Sequence, residues 1–140
     1  MEYIIGIVLG LGIAGSAKAT KYDRDRSFYP VILIVIATYY VLFAVMNGGT
    51  GIIITELMIA LTFMAMAIIG SRVSLRIVAI GLIVHGVFDL FHHRIVAYPE
   101  VPAWWPGFCA MVDVVLGLVV WAMEKPRSNK SRQSTAEHGV

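Results

Sequence analysis

Five long apolar segments constrain the fold of this chain more than any other feature of its sequence. Each approaches the length of about 20 residues that a helix needs to cross a bilayer core of roughly 30 Å. Hydrophobic residues make up 59% of the chain and charged residues 14%, against roughly 45–50% and 25% in soluble domains. The sequence therefore predicts an all-α transmembrane bundle over residues 1–123 and a disordered polar tail over 124–140. The five predicted helices span residues 3–17, 31–46, 52–70, 77–92 and 107–123.

The distribution of basic residues predicts how these helices are oriented. If all five cross the membrane, ten of the eleven Lys and Arg residues lie on one side, and Arg94 is the exception. Lys and Arg are enriched in cytoplasmic loops. We therefore expect the N-terminus outside the cytoplasm and the C-terminus inside, in a multi-pass protein whose surroundings are the lipid bilayer. The basic residues show no interleaved aromatic pattern, so nothing points to nucleic acid.

Three acidic residues fall inside the apolar segments, each on a different helix: Glu56, Asp89 and Asp113. Intramembrane ionisable groups are rare and costly, at about 2.5–3.5 kcal/mol on insertion scales, and they usually mark function. All three are expected about 6–9 Å below the outer membrane boundary, at a rise of 1.5 Å per residue. His85 and His92 share a helical stripe with Asp89. The five residues are candidates for one site.

Imidazole and carboxylate together are the ligands preferred by zinc, manganese or iron ions. The sequence thus favours a metal site in the outer half of the membrane, in an enzyme such as a metal-dependent hydrolase or oxidase. Two alternatives stay open. The same residues could form a proton relay in a small-solute or ion transporter or channel, since such relays use Asp, Glu and His. They could also form a structural hydrogen-bond network between helices.

Several other residues are secondary candidates at this depth: Tyr39, Tyr40, His93 and Cys109. The tyrosines are more simply explained by packing and interhelix hydrogen bonds, and the single cysteine by its behaviour as a small buried hydrophobe. Trp104 and Trp105 follow a proline-rich loop and are expected either to anchor the membrane interface or to cover the site.

Small residues recur at four-residue intervals on the first helix, at Gly6, Gly10 and Ala14. A small-xxx-small face lets two transmembrane helices approach closely. It predicts either packing against another helix of the chain or self-association of two chains through the first helix.

Three sequence elements resemble a family of small bacterial integral membrane proteins of unknown function. They are His85-Gly-Val-Phe-Asp-Leu-Phe-His92, Pro99-Glu-Val-Pro-Ala-Trp-Trp-Pro-Gly-Phe-Cys109 and Asp23-Arg-Asp-Arg-Ser-Phe-Tyr-Pro30. The resemblance extends from about Tyr3 to Met123. It implies a bacterial plasma membrane location and carries no activity with it.

Overall fold

A computed structural model describes residues 1–96 and 101–124, and the described residues form α-helices, one short 3-10 turn and connecting loops without a strand. All five long helices are long and apolar enough to cross a membrane. The prediction of an all-α bundle with five membrane-spanning helices is thereby confirmed. The helices are α1 (Glu2–Thr20), α2 (Phe28–Asn47), α3 (Thr50–Arg72), α4 (Leu75–Ile95) and α5 (Trp105–Met123). The predicted disordered tail lies outside the described residues, apart from its first residue.

Most helices extend two or three residues beyond the apolar segments that predict them. A helix continues into polar residues at its ends as long as its terminal backbone groups find partners. At the start of α4, for example, the Ser74 hydroxyl accepts a hydrogen bond of 3.3 Å from the Arg76 backbone N–H. At the end of α1, Lys21 adopts a left-handed conformation with φ of 65°, and its N–H donates to the Lys18 carbonyl. A hydropathy pattern does not predict such caps.

Consecutive helices run in opposite directions, so alternate helix ends meet on the same side of the bundle. The side where α1, α3 and α5 begin is called the N-terminal face, and the side where they end is called the C-terminal face. At the N-terminal face, where α1, α3 and α5 begin, Gly107 packs against Tyr3. At the C-terminal face, Arg26 Nε donates to the Ser71 carbonyl at 3.1 Å, and the Tyr29 hydroxyl lies 3.8 Å from Met123 Sδ. Among the described residues, all Lys and Arg except Arg94 belong to the C-terminal face.

Helix α4 is central to the bundle, because it packs against α2, α3 and α5. Its most extensive contact is with α5, and α3 packs chiefly on α2 and α4. Leu33, Leu82 and Leu116 of α2, α4 and α5 are completely buried in the shared core. The outer surface is instead covered by exposed large apolar side chains, as expected for helices that face lipid.

Helix α1 packs mainly on α5, and its small-residue face makes this contact. A Cβ atom added at Gly6 would lie 2.5 Å from the Phe108 carbonyl oxygen, and one at Gly10 would lie 3.0 Å from Val115 Cβ. Ala14 is half-buried against the core. The small-xxx-small face thus packs against α5 of the same chain, and self-association through the first helix stays a prediction.

We predict that Gly6→Ala lowers the thermal stability of the detergent-solubilised protein, because the added methyl group would collide with the α5 backbone. Gly12→Ala is the matched control, since a Cβ at Gly12 has no neighbour within 4 Å. In that position alanine should be neutral or stabilising by up to about 1 kcal/mol through its higher helix propensity. Unfolding midpoints measured by circular dichroism test this, and equal midpoints for the two variants would contradict the α1–α5 contact.

Candidate functional site

Among the described residues, five Asp, Glu and His side chains are buried to 0–1% exposure, and all five are candidates predicted from the sequence. They come from α3, α4 and α5: Glu56, His85, Asp89, His92 and Asp113. The structure brings them into two groups, a trio and a pair. The prediction that they line one continuous site stays a prediction, but each histidine contacts an acid from another helix.

The trio consists of His85 and Asp89 of α4 and Asp113 of α5. His85 Nδ1 lies 2.7 Å from Asp113 Oδ2 and 3.7 Å from Asp89 Oδ2. One ligand atom from each of the three residues lies within 4.8 Å of the other two. Within the described ranges, Asp113 Oδ1 has no hydrogen-bond partner, whereas Asp89 interacts with the Tyr40 hydroxyl group. Unsatisfied buried carboxylate oxygens are uncommon and require an explanation.

The pair consists of Glu56 of α3 and His92 of α4, with His92 Nε2 2.6 Å from Glu56 Oε1. Tyr40 of α2 joins the pair to the trio. Its ring stacks on the His92 imidazole with centroids 3.8 Å apart, and its hydroxyl group interacts with Asp89. Four helices therefore contribute to one polar region, since Tyr40 is itself buried to 2% exposure.

Aromatic rings enclose the two imidazoles. Phe63 of α3 packs edge-on against His85 with centroids 4.7 Å apart, and Phe88 packs in the same manner against His92 at 5.4 Å. Sequence reasoning missed both phenylalanines, because nothing distinguishes them from other apolar residues of a membrane helix. These rings surround the polar groups with a low-dielectric wall, in which electrostatic interactions are stronger than in water.

The buried groups lie further from the helix ends than the sequence alone indicates, because α3 and α5 begin two residues earlier than expected. Counted from the helix ends at the N-terminal face, Glu56 and Asp89 lie about 9 Å deep and Asp113 about 12 Å deep. His92 lies about 4.5 Å from the same face. A cavity of about 330 Å³ lined by His92, His93 and Pro106 reaches the pair from that side.

A close helix contact sets the distance between His85 and Asp113. A Cβ atom added at Gly86 would lie 2.9 Å from the Ala110 carbonyl oxygen and 3.0 Å from Asp113 Cβ. Only a glycine lets α4 approach α5 this closely beside the trio. The sequence analysis missed this role of Gly86, although its position next to His85 was a signal.

The site has an excess of potential negative charge. Three carboxyl groups are buried there, whereas none of the Lys and Arg side chains within residues 1–96 and 101–124 is buried. An uncompensated charge in a membrane interior is very costly. The carboxylates must therefore be neutralised by protons, by the two imidazoles or by a bound cation.

The secondary candidates lie around this site rather than in it. His93 is exposed, and Tyr39 is 37% exposed with its ring 5.3 Å from that of Trp105. Cys109 is buried one turn before Asp113. Trp104 is 51% exposed at the start of α5. Tyr40 stacks on His92 and interacts with Asp89, in agreement with the packing and interhelix hydrogen bonds predicted for it.

A family model described as a family of unknown function, DUF6010, matches residues 1–126. The chain belongs to this family. The match covers all five helices of the DUF6010 member described here, including every residue of the trio and the pair. It confirms the resemblance to a family of unknown function. Neither the curated proteins nor the solved structures contain a match.

We predict strong energetic coupling between His85 and Asp113. A thermodynamic double-mutant cycle with His85→Asn and Asp113→Asn should give an interaction free energy of about 1.5–3 kcal/mol, as expected for a buried hydrogen bond to a charged group. The free energies come from unfolding in mixed micelles. A matched cycle with exposed His93→Asn in place of His85→Asn should be additive, and similar values in the two cycles would refute the contact.

Proposed function

We propose that this protein is an integral membrane protein that binds one divalent metal ion through His85, Asp89 and Asp113. The observation that carries the proposal is the trio itself, in which three ligand atoms lie within 4.8 Å of one another at 0–1% exposure. A metal ion among them would bind carboxylate oxygens of Asp89 and Asp113, and Asp113 Oδ1 has no hydrogen-bond partner among the described residues. Imidazole with carboxylates suits zinc, manganese or iron.

Charge balance supports the same proposal. A divalent cation with the Asp89 and Asp113 carboxylates and a neutral His85 has a net charge of zero. The neighbouring Glu56 and His92, 2.6 Å apart, also sum to zero as a carboxylate and an imidazolium. One divalent ion and one proton would therefore neutralise these five described side chains without a Lys or Arg. This is the condition that a low-dielectric surrounding imposes.

The ligand number favours a reactive site over a purely structural one. Structural zinc sites are usually closed by four protein ligands, whereas catalytic sites keep a position open for water or substrate. Three ligands in a membrane interior thus point to a metal-dependent hydrolase or oxidase. The Glu56–His92 pair would hold a proton close to the metal ligands. Tyr40 connects the two groups, because its ring contacts His92 and its hydroxyl group interacts with Asp89.

The proposal places the protein in the bacterial plasma membrane with its N-terminal face outward. Its support is the concentration of Lys and Arg at the C-terminal face, since basic loops stay in the cytoplasm. The metal ligands would then lie in the outer half of the bilayer or close to its centre.

We predict that the protein purified without chelator contains about one divalent ion per chain. Metal affinity requires the complete set of deprotonated ligands, so a variant that lacks one ligand should bind the ion much more weakly. His85→Ala and Asp113→Asn should each lose the ion. His93→Ala is the matched control, since this exposed histidine lies next to the site without joining it. Elemental mass spectrometry of the four proteins provides the measurement.

The outcome distinguishes three interpretations. Metal-free wild-type protein, even after incubation with divalent ions, would reject the metal site. If His93→Ala loses metal as readily as His85→Ala, the ion is bound nonspecifically. If all variants lack metal and differ only in thermal stability, the buried groups form a structural network.

A proton relay in a transporter is the second candidate, favoured by the continuity of the polar groups. The Glu56–His92 pair, Tyr40, Asp89 and His85–Asp113 follow one another through about 10 Å of membrane depth. In that case Asp89→Asn should abolish proton flux into proteoliposomes, measured with a pH-sensitive dye. Tyr39→Phe should leave flux intact, because Tyr39 lies outside the network. Flux that persists in Asp89→Asn excludes this candidate.

The proposed orientation gives a further prediction. The chain has one native cysteine, which is buried, so introduced cysteines can be labelled selectively. In intact cells a membrane-impermeant maleimide should label Ala103→Cys at the N-terminal face but not Val73→Cys at the C-terminal face. Permeabilised cells should give labelling of both, because both positions are exposed. The reverse pattern in intact cells would invert the topology.

A further inference from the structure

A second cavity, of about 360 Å³, lies between α1 and α2 with α5 as its floor. Its size falls within the range of about 300–1,000 Å³ that is typical of small-molecule sites. The walls are apolar side chains of the three helices, with Leu9, Val35 and Val112 as examples. Asp113 is part of the lining, so the groove reaches one of the proposed metal ligands.

The groove opens sideways toward lipid. Leu9 and Val35, on its opposite walls, are 44% and 46% exposed on helices that are apolar enough to span a membrane. A molecule that enters by this opening comes from the hydrocarbon of the bilayer. Water is a poor occupant, because an apolar cavity offers it few hydrogen-bond partners.

Two unsatisfied polar groups stand eight residues apart along the α5 wall. Trp105 Nε1 is buried at the N-terminal face, and Asp113 Oδ1 is buried deeper in the bundle. Neither has a hydrogen-bond partner among the described residues. They are about 12 Å apart along the helix axis. The indole N–H is a donor close to the depth of lipid polar groups, where Trp is commonly enriched.

We infer that this groove binds the hydrocarbon chain of a bilayer amphiphile, whose polar group accepts a hydrogen bond from Trp105 and whose chain extends to Asp113. A bilayer amphiphile would then be the substrate class of the proposed metal site. This inference rests on the proposed function only because Asp113 belongs both to the groove and to the metal ligands. A chain of this kind fills space that would otherwise lack van der Waals partners.

The test uses the full-length protein with Trp105 as its only tryptophan, obtained by Trp104→Phe and Trp121→Phe. The probe is a long-chain fatty acid brominated at mid-chain, which quenches nearby indole fluorescence in detergent solution. We expect saturable quenching that unlabelled fatty acid reverses. A companion protein that keeps only Trp104, the exposed neighbour, should show weak and non-saturable quenching.

Val35→Phe, in the Trp105-only protein, narrows the groove from its exposed rim and should weaken probe binding by about tenfold. Val87→Phe is the matched control, because Val87 has nearly the same exposure, 47%, and lies on α4 outside the groove. Identical titrations for the two variants would overturn the inference. The brominated hydrocarbon without a carboxyl group should bind about tenfold less tightly, as expected for a lost hydrogen bond to a charged group. Equal binding of the two probes would overturn the role of Trp105.

Metal content measured in the same samples separates this inference from the proposed function. Saturable probe binding by metal-free protein would reject the metal site and retain the groove. Metal-loaded protein without saturable binding would reject the groove and retain the metal site.

Discussion

The rest of this structure depends on the burial of three carboxyl groups, which no buried lysine or arginine within residues 1–96 and 101–124 balances. A membrane interior penalises net charge, so the acids must share protons or cations with His85 and His92. That requirement explains why each histidine contacts an acid from a neighbouring helix, at 2.6–2.7 Å. It also agrees with the extensive contact between α4 and α5, which together carry four of the five groups. The way in which the helices pack therefore depends on how the buried acids are neutralised.

The fold and the identities of the buried groups could be predicted from the sequence, but the pairing of each acid with a histidine could not. Apolar length predicts five helices, and the cost of intramembrane charge singles out Glu56, Asp89 and Asp113. Which acid meets which histidine depends on the rotation of each helix about its axis. Gly86 fixes that geometry between α4 and α5 by allowing close backbone approach. A hydropathy pattern does not indicate such a close contact between helices. Neither the trio nor the pair could therefore be predicted from hydropathy.

Tyr40 illustrates the same limit on a smaller scale. A tyrosine on an apolar helix most often packs or hydrogen-bonds to a neighbour, and its sequence context gave no further information. In the folded chain its ring covers His92 and its hydroxyl group interacts with Asp89. The tertiary structure thus joins two acid–histidine groups through a residue whose own pattern indicated nothing unusual.

The glycine contact between α1 and α5 has a consequence for how this family can diversify. In the described part of the chain, the buried acids and histidines all lie on α3 to α5, whereas α1 supplies one wall of the lipid-facing groove. Larger residues at Gly6 or Gly10 would shift α1 outward and widen that opening while the acids and histidines stay in place. The shape of this groove and the chemistry of the buried groups therefore depend largely on different positions, with Asp113 common to both.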